Sequence, residues 1–243
     1  VAVVSDLLPV SEVFGPTIQG EGPLAGRAAQ FVRLGGCNLS CSWCDTPYTW
    51  DDEHYDLEQE NPRVRVDVAL SMVRPNLLTV LTGGEPLMHQ RRPAWELLLH
   101  GISRRKNCPI QLETNGTLPP NQVTRAYLNA ATISPKLANA GQHRRHQDPT
   151  LHPAWVDLVH SESALAAATV LKFVVETEAD VDAAYTYAEL VDWPRDRIWV
   201  MPQGRTVDEL QARWPAIARR AADLCINATH RLHVLAWGDR RGV

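Results

Sequence analysis

Short apolar runs rich in β-branched residues recur along the chain, each ending in Gly, Ser, Asn, Pro or a charge. They are AQFVRLGG (29–36), LLTVLTGGEP (77–86), PIQLETNG (109–116), AATISPK (130–136), TVLKFVVE (169–176) and RIWVMPQG (197–204). Flanking segments, RVDVALSMVR (65–74), PAWELLLHGISRR (93–105), EADVDAAYTYAEL (178–190) and TVDELQARWPAIARRAADLC (206–225), instead repeat apolar positions at three- and four-residue spacing, the mark of amphipathic helices. Nearly continuous apolar strands separated by such helices predict a parallel sheet covered by helices. RLHVLAWG (231–238) reads as a closing strand, giving about seven units, fewer than the eight of a full barrel. The pattern therefore predicts one α/β domain over residues 1–243, and leaves a partial barrel and a doubly wound sheet both open. The longest polar break, NAGQHRRHQDPTLHP (139–153), is expected to be a surface loop that solvates His143, His146 and His152.

In parallel α/β architectures the reacting groups collect at the carboxyl ends of the strands. Here those ends carry Gly35–Gly36, Thr82 to Glu85, Glu113 to Gly116, Ser134 to Lys136 and Pro202 to Gly204. Composition narrows the partner: 44% hydrophobic residues supply a sizeable core, and a net charge of -4 offers no basic footprint for nucleic acid or an anionic membrane. A small molecule is the expected ligand. No uncharged stretch approaches the ~18 residues of a membrane span, and Asp6 and Glu12 in an N-terminal stretch without a basic region argue against a secretory signal. An odd number of cysteines, five, suits a reducing cytoplasm better than a disulfide frame.

Three of those cysteines, Cys37, Cys41 and Cys44, fall within GGCNLSCSWCDT (35–46). A structural zinc site would normally take four protein ligands. Three thiolates on a four-iron cube leave one iron free to bind a further ligand. The spacing CxxxCxxC, with aromatic Trp43 before the third cysteine, resembles the signature of the radical S-adenosylmethionine enzymes. That resemblance implies a 4Fe-4S cluster whose open iron chelates S-adenosylmethionine, and an adenosyl radical as the working species. Cys108 and Cys225 lack such company and read as core thiols.

In LTGGEP, glycines at a strand end let a ligand approach the backbone closely, and the run resembles the family's GGE motif. Gly83, Gly84 and Glu85 are thereby implied to hold S-adenosylmethionine. The same resemblance extends that role to Trp43, Asp45, Asn115, Ser134, Pro135, Lys136 and Gln203. Lys136 and Lys172, two of only three lysines, both lie in or at strands rather than on a solvated face. For Lys172 a structural ion pair stands beside a functional role.

Substrate choice must lie elsewhere. TIQGEGPLAG (17–26), placed ahead of the first strand, sets Gln19 and Glu21 among glycines, offering donors and acceptors to an aminopyrimidinone edge. Arg33 has the planar fork for a carboxylate, and the Thr46 hydroxyl, two residues past Cys44, is a hard oxygen suited to Mg2+. From Gln19 to Gly242 the chain resembles the 7-carboxy-7-deazaguanine synthase family. The resemblance implies a partial TIM-like βα barrel, a homodimer, Mg2+, a pterin substrate and an external electron donor such as flavodoxin or ferredoxin. The implied reaction turns 6-carboxy-5,6,7,8-tetrahydropterin into 7-carboxy-7-deazaguanine with loss of ammonia, in the cytoplasm, with no catalytic residue beyond the cluster-bound cofactor. Carried over by position, Gln19, Gly20, Glu21, Thr82, Glu113 and His233 meet the pterin, Arg33 its carboxylate, and Thr46 the magnesium ion. The stretches 51–66 and 139–153 depart from a compact member of the family. A glycyl-radical activating enzyme and a zinc module using His54 are the competing readings.

Overall fold

The computed structural model describes residues 6–144 and 147–243. The first residues of the N-terminal stretch, and His146, lie outside the described residues. Nine strands build the sheet: β1 (Leu7–Ile18), β2 (Ala28–Leu34), β3 (Arg63–Arg65), β4 (Leu78–Gly83), β5 (Ile110–Thr114), β6 (Ala130–Ile133), β7 (Thr169–Val175), β8 (Ile198–Pro202) and β9 (Asn227–Ala228). Their order is β3-β1-β2-β4-β5-β6-β7-β8-β9. From β2 onward every pair is parallel and each neighbour is the next strand in that run. A sheet that winds in one direction is an incomplete barrel, because a doubly wound sheet reverses its order part-way. The two outer strands do not pair with each other, so the barrel stays open.

Helices fill the crossovers: α1 (Leu57–Glu60), α2 (Val66–Met72), α3 (Pro93–Ser103), α4 (Gln122–Tyr127), α5 (Pro153–Val159), α6 (Ala164–Ala167), α7 (Glu178–Leu190), α8 (Val207–Asp223) and α9 (Leu232–Trp237). Capping boxes start α7 (Thr177 with Asp180) and α8 (Thr206 with Glu209), each satisfying two backbone donors that a helix start would leave free. Against the sheet these helices bury Trp95, Trp155, Leu98, Leu99 and Ile102 together with strand residues such as Phe173 and Val200. Side chains alternate between sheet faces, so the other face receives a different set. Arg33 lies opposite Thr82, and Glu113 opposite Thr132, a polar lining toward the carboxyl ends of the strands.

Three expectations need correction. The first strand is β1, not the run at 29–36. It pairs antiparallel with β2 and β3, and most of its residues are only half-buried, so it lacks the continuous apolar signature of a covered parallel strand. RLHVLAWG is helix α9 rather than a closing strand; its Leu232 amide donates to the Gly20 carbonyl at 2.9 Å, and Gly238, with φ +70°, ends it. The final strand is β9. Cys108 is buried as expected, but Cys225 is exposed: it follows α8 with φ +54°, where the chain turns out of the helix. Among the described residues, no helix is long and apolar enough to cross a membrane.

Candidate active site

The loop after β2 holds Cys37, Cys41 and Cys44, all half-buried. Its sulfurs meet protein donors: the Leu39 amide reaches Cys37 Sγ at 3.4 Å, and Trp50 Nε1 reaches Cys44 Sγ at 3.3 Å. Burial chiefly pushes the Cys37 thiol up to about 12, so without a bound cation this group stays protonated. A metal would deprotonate it. Among the described residues, the groups that bring three metal-ligating atoms within 4.8 Å of one another comprise Asp51, Glu53 and His54, and not the thiols. Sulfurs spread more widely than the ligands of one ion fit the corners of a cluster. His54 is exposed and pairs with Asp51 at 2.8 Å, in a group with Asp51 and Glu53 that does not include the thiols.

The described residues 141–144 and 147–152 of the polar stretch form neither helix nor strand, yet the stretch does more than meet solvent. The Ser40 amide donates to His143 Nδ1 at 3.2 Å, Ser40 Oγ to Gln147 Oε1 at 2.7 Å, and Ser42 Oγ to the Ala140 carbonyl at 3.1 Å. This segment therefore braces the cysteine loop. His152 caps α5 by accepting from the Ala154 amide.

The neighbouring strand end comes close enough that glycine is obligatory. A Cβ on Gly84 would lie 2.0 Å from the Gly36 carbonyl oxygen, while the Glu85 amide donates to that same oxygen at 2.7 Å. Glu85 is fully buried. Its carboxylate accepts from the Asn115 amide (2.7 Å), the Leu87 amide (3.0 Å) and the Thr114 hydroxyl (2.8 Å). Burial raises its pKa against these bonds. Glu85 thus clamps the end of β4 to the end of β5 and is absent from the wall of the adjoining cavity. Asn115 continues the clamp, donating to Asn38 Oδ1 at 2.8 Å.

That cavity, about 150 Å³, is bounded by the three cysteines, Trp43, Gly83, Gly84, Asn115, Ser134, Lys136 and Lys172. Lys136 donates to Ser134 Oγ at 3.0 Å and lies 5.2 Å from the centre of the Trp43 ring. Pro135 and Gln203 stand outside it; Gln203 accepts from Arg213 instead.

A second cavity of about 280 Å³ opens alongside, with Gln19, Gly20, Glu21, Arg33 and His233 in its wall. Asp45, Thr46, Thr82, Gly83 and Glu113 border both spaces. Gln19 Nε2 donates to Glu113 Oε1 at 3.0 Å, and Thr82 Oγ1 to Glu113 Oε2 at 2.8 Å. Arg33 gives its Nε to Glu12 Oε1 at 2.6 Å, which also accepts from the Tyr48 hydroxyl at 3.1 Å. Among the described residues its two Nη groups have no hydrogen-bond partner. Gly20 makes room for His233: a Cβ there would sit 1.9 Å from Nδ1 of that ring.

Charge is concentrated at Glu21. One carboxylate oxygen accepts from Lys172, the other from Arg231 Nε at 3.0 Å, with His233 Nε2 3.8 Å away. Burial alone would push the Glu21 carboxyl up, but Lys172, then Arg231 and His233, outweigh it and hold the group far below the usual carboxylate range. Asp45 behaves likewise: burial raises its pKa and Arg231, which donates to it, more than reverses the shift. Burial leaves His233 below its ordinary value, despite Glu21. Arg231, Trp50, Glu12 and Tyr48 escaped the sequence reading. Nothing in the local pattern marks them, and Arg231 lies in a segment read as strand.

The donor set fits the groups that the sequence resemblance implies. Three thiols with amide and indole donors suit a cluster; Asn115, Ser134 and Lys136 present polar groups beside it; and the hydrogen-bond partner of Thr46 Oγ1 among the described residues is Cys44 Sγ, at 3.7 Å.

Residues 31–144 match the Radical SAM superfamily. The 7-carboxy-7-deazaguanine synthase of Pyrobaculum aerophilum is 34% identical, with 96% of each chain covered. That of Hyperthermus butylicus is 36% identical, covering 96% of this chain and 94% of that one. The crystal structure of QueE from Escherichia coli shares the fold, with a TM-score of 0.61 at 23% identity over 93% of this chain and 95% of that one. Likeness this extensive in sequence, on a partial barrel whose three thiols face a ligand cavity, makes the chain a member of the 7-carboxy-7-deazaguanine synthase family within the radical SAM superfamily.

Proposed function

We propose that the chain converts 6-carboxy-5,6,7,8-tetrahydropterin into 7-carboxy-7-deazaguanine with loss of ammonia, supporting deazapurine biosynthesis. The observation that carries this reading is the shared border of the two cavities, at Asp45, Thr46, Thr82, Gly83 and Glu113. A small acid in the larger space would lie directly beside a cofactor in the smaller one. When bound, a 4Fe-4S cluster and S-adenosylmethionine supply a 5'-deoxyadenosyl radical.

The chain's own residues bind and orient. Glu21, kept ionised by Lys172 and Arg231, and Glu113, fixed by Gln19 and Thr82, offer carboxylate oxygens to the N–H groups of an aminopyrimidinone. The Nη groups of Arg33 suit the substrate carboxylate. Thr46 would hold Mg2+ with the substrate carboxylate, since magnesium takes few protein oxygens and completes its shell with substrate and water. Ser134, Lys136 and Asn115 would receive S-adenosylmethionine. A flavodoxin or ferredoxin as electron donor, a homodimer and a cytoplasmic setting belong to the same reading.

The test is anaerobic turnover of the reconstituted, reduced protein with S-adenosylmethionine, Mg2+ and the pterin, followed by mass analysis for the deazapurine. Thr46→Ala should keep iron and sulfide but lose most product. Cleavage of S-adenosylmethionine without any deazapurine from the unmodified protein would overturn the substrate assignment and favour a polypeptide substrate.

A further inference from the structure

We propose that Arg231 is a positioning residue that locks the cysteine loop to the substrate wall, an inference that rests on the function proposed above. The side chain is buried, at 7% exposure, and each of its three nitrogens serves a different strand-end loop. Nη1 donates to the Gly204 carbonyl after β8 at 2.7 Å, Nε to Glu21 between β1 and β2 at 3.0 Å, and Nη2 to Asp45 after β2. Asp45 stands between Cys44 and Thr46. Holding its carboxylate therefore fixes the peptide that carries a cluster thiol on one side and the candidate magnesium hydroxyl on the other.

The other oxygen of Glu21 takes Lys172 from β7, which reaches the cluster-side cavity. A continuous chain of charge thus runs from the cysteine loop through Arg231 and Glu21 into the barrel interior. A guanidinium donates from three nitrogens held in one plane and so spans acceptors on three separate loops, whereas an ammonium offers its three donors from a single point on a flexible stem. Arg231 also borders the 280 Å³ cavity, but each of its nitrogens already donates to protein, so its role is to act through Asp45 and Glu21. What it sets is the distance between radical source and substrate, and reactions of this kind lose rate steeply with small misplacements.

The prediction concerns partition more than survival. In the reconstituted holoenzyme, Arg231→Lys should retain iron and sulfide yet raise 5'-deoxyadenosine released per deazapurine formed by about tenfold. It should also speed amide hydrogen exchange in residues 17–26 and 44–50 together. Asp45→Asn, which removes one arm at a half-exposed carboxylate, should shift both readouts in the same direction by less. The double variant should be no worse than Arg231→Lys, because the two changes break one bridge. An unchanged partition ratio in both variants, exchange that rises in one segment without the other, or effects that multiply in the double variant would each overturn the proposal. Should Arg231→Lys fail to hold its cluster, the partition and exchange of Asp45→Asn decide. Absence of deazapurine from the unmodified protein would refute the functional reading instead, and the paired exchange response would still decide whether the bridge exists.

Discussion

Individual side chains here divide sharply between those that hold ligands and those that hold the holders. Glu85, expected from its motif to hold a ligand, is in the fold also a clamp whose two oxygens accept from the Leu87 and Asn115 amides and the Thr114 hydroxyl. Trp50, six residues past Cys44, does the reverse: no motif singles it out, yet its indole N–H reaches Cys44 Sγ at 3.3 Å. Hydrogen bonds to cluster sulfurs stabilise the more negative, reduced state and so raise the reduction potential. Trp50→Phe should therefore move the cluster potential to a more negative value, by on the order of tens of millivolts, while iron content stays constant. A spectroelectrochemical titration reads this directly; an unaltered potential would show that the indole only packs.

At the level of strands and loops, the decisive contact is the crossing of two strand ends. The turn Gly83–Gly84 lies so close to the Gly36 carbonyl that no side chain fits between them. Gly84→Ala would push the end of β4 away from the cysteine loop, at a cost of about 3 kcal/mol. The expected outcome is protein that binds little iron after reconstitution and unfolds at lower denaturant; full iron content with wild-type stability would contradict the contact. Ala140, Arg144 and Gln147 add a second support through Ser40 and Ser42. A polar break in the sequence is thus a brace in the fold, a role that composition does not reveal because both loops hydrogen-bond with water equally well when apart.

For the molecule as a whole, the buried charges tie stability to pH. Burial leaves His233 with a folded-state pKa below its ordinary 6.5, so between those two values the unfolded chain binds the proton and the folded chain does not. Stability then rises with pH across that window and falls as the medium is acidified below about pH 6.5. His233→Gln removes this one contribution. Its denaturation midpoint should decline less than that of the unmodified protein between about pH 7.5 and 5.5, and parallel declines would place the titration elsewhere. The same open barrel that buries these groups leaves its two outer strands unpaired with each other, so the site is walled by loops and α9 rather than by a closed ring of strands.

Six of the parallel strands, the long helices and the three-thiol loop were legible in the order of residues, because each rests on local periodicity or fixed spacing that one segment carries alone. Strand β1 and helix α9 were not: one alternates weakly and is mostly half-buried, and the other is a six-residue helix whose pattern also suits a strand. Motif positions such as Arg33, Thr82 and Glu113 could be named from the chain, but their meeting in one cavity depends on strand register. The joining of Asp45, Glu21, Gly204 and Lys172 around Arg231 spans residues up to 210 positions apart. Such contacts arise only when the barrel brings distant loops to one rim, since an ion pair between remote residues leaves no trace in the local pattern of either.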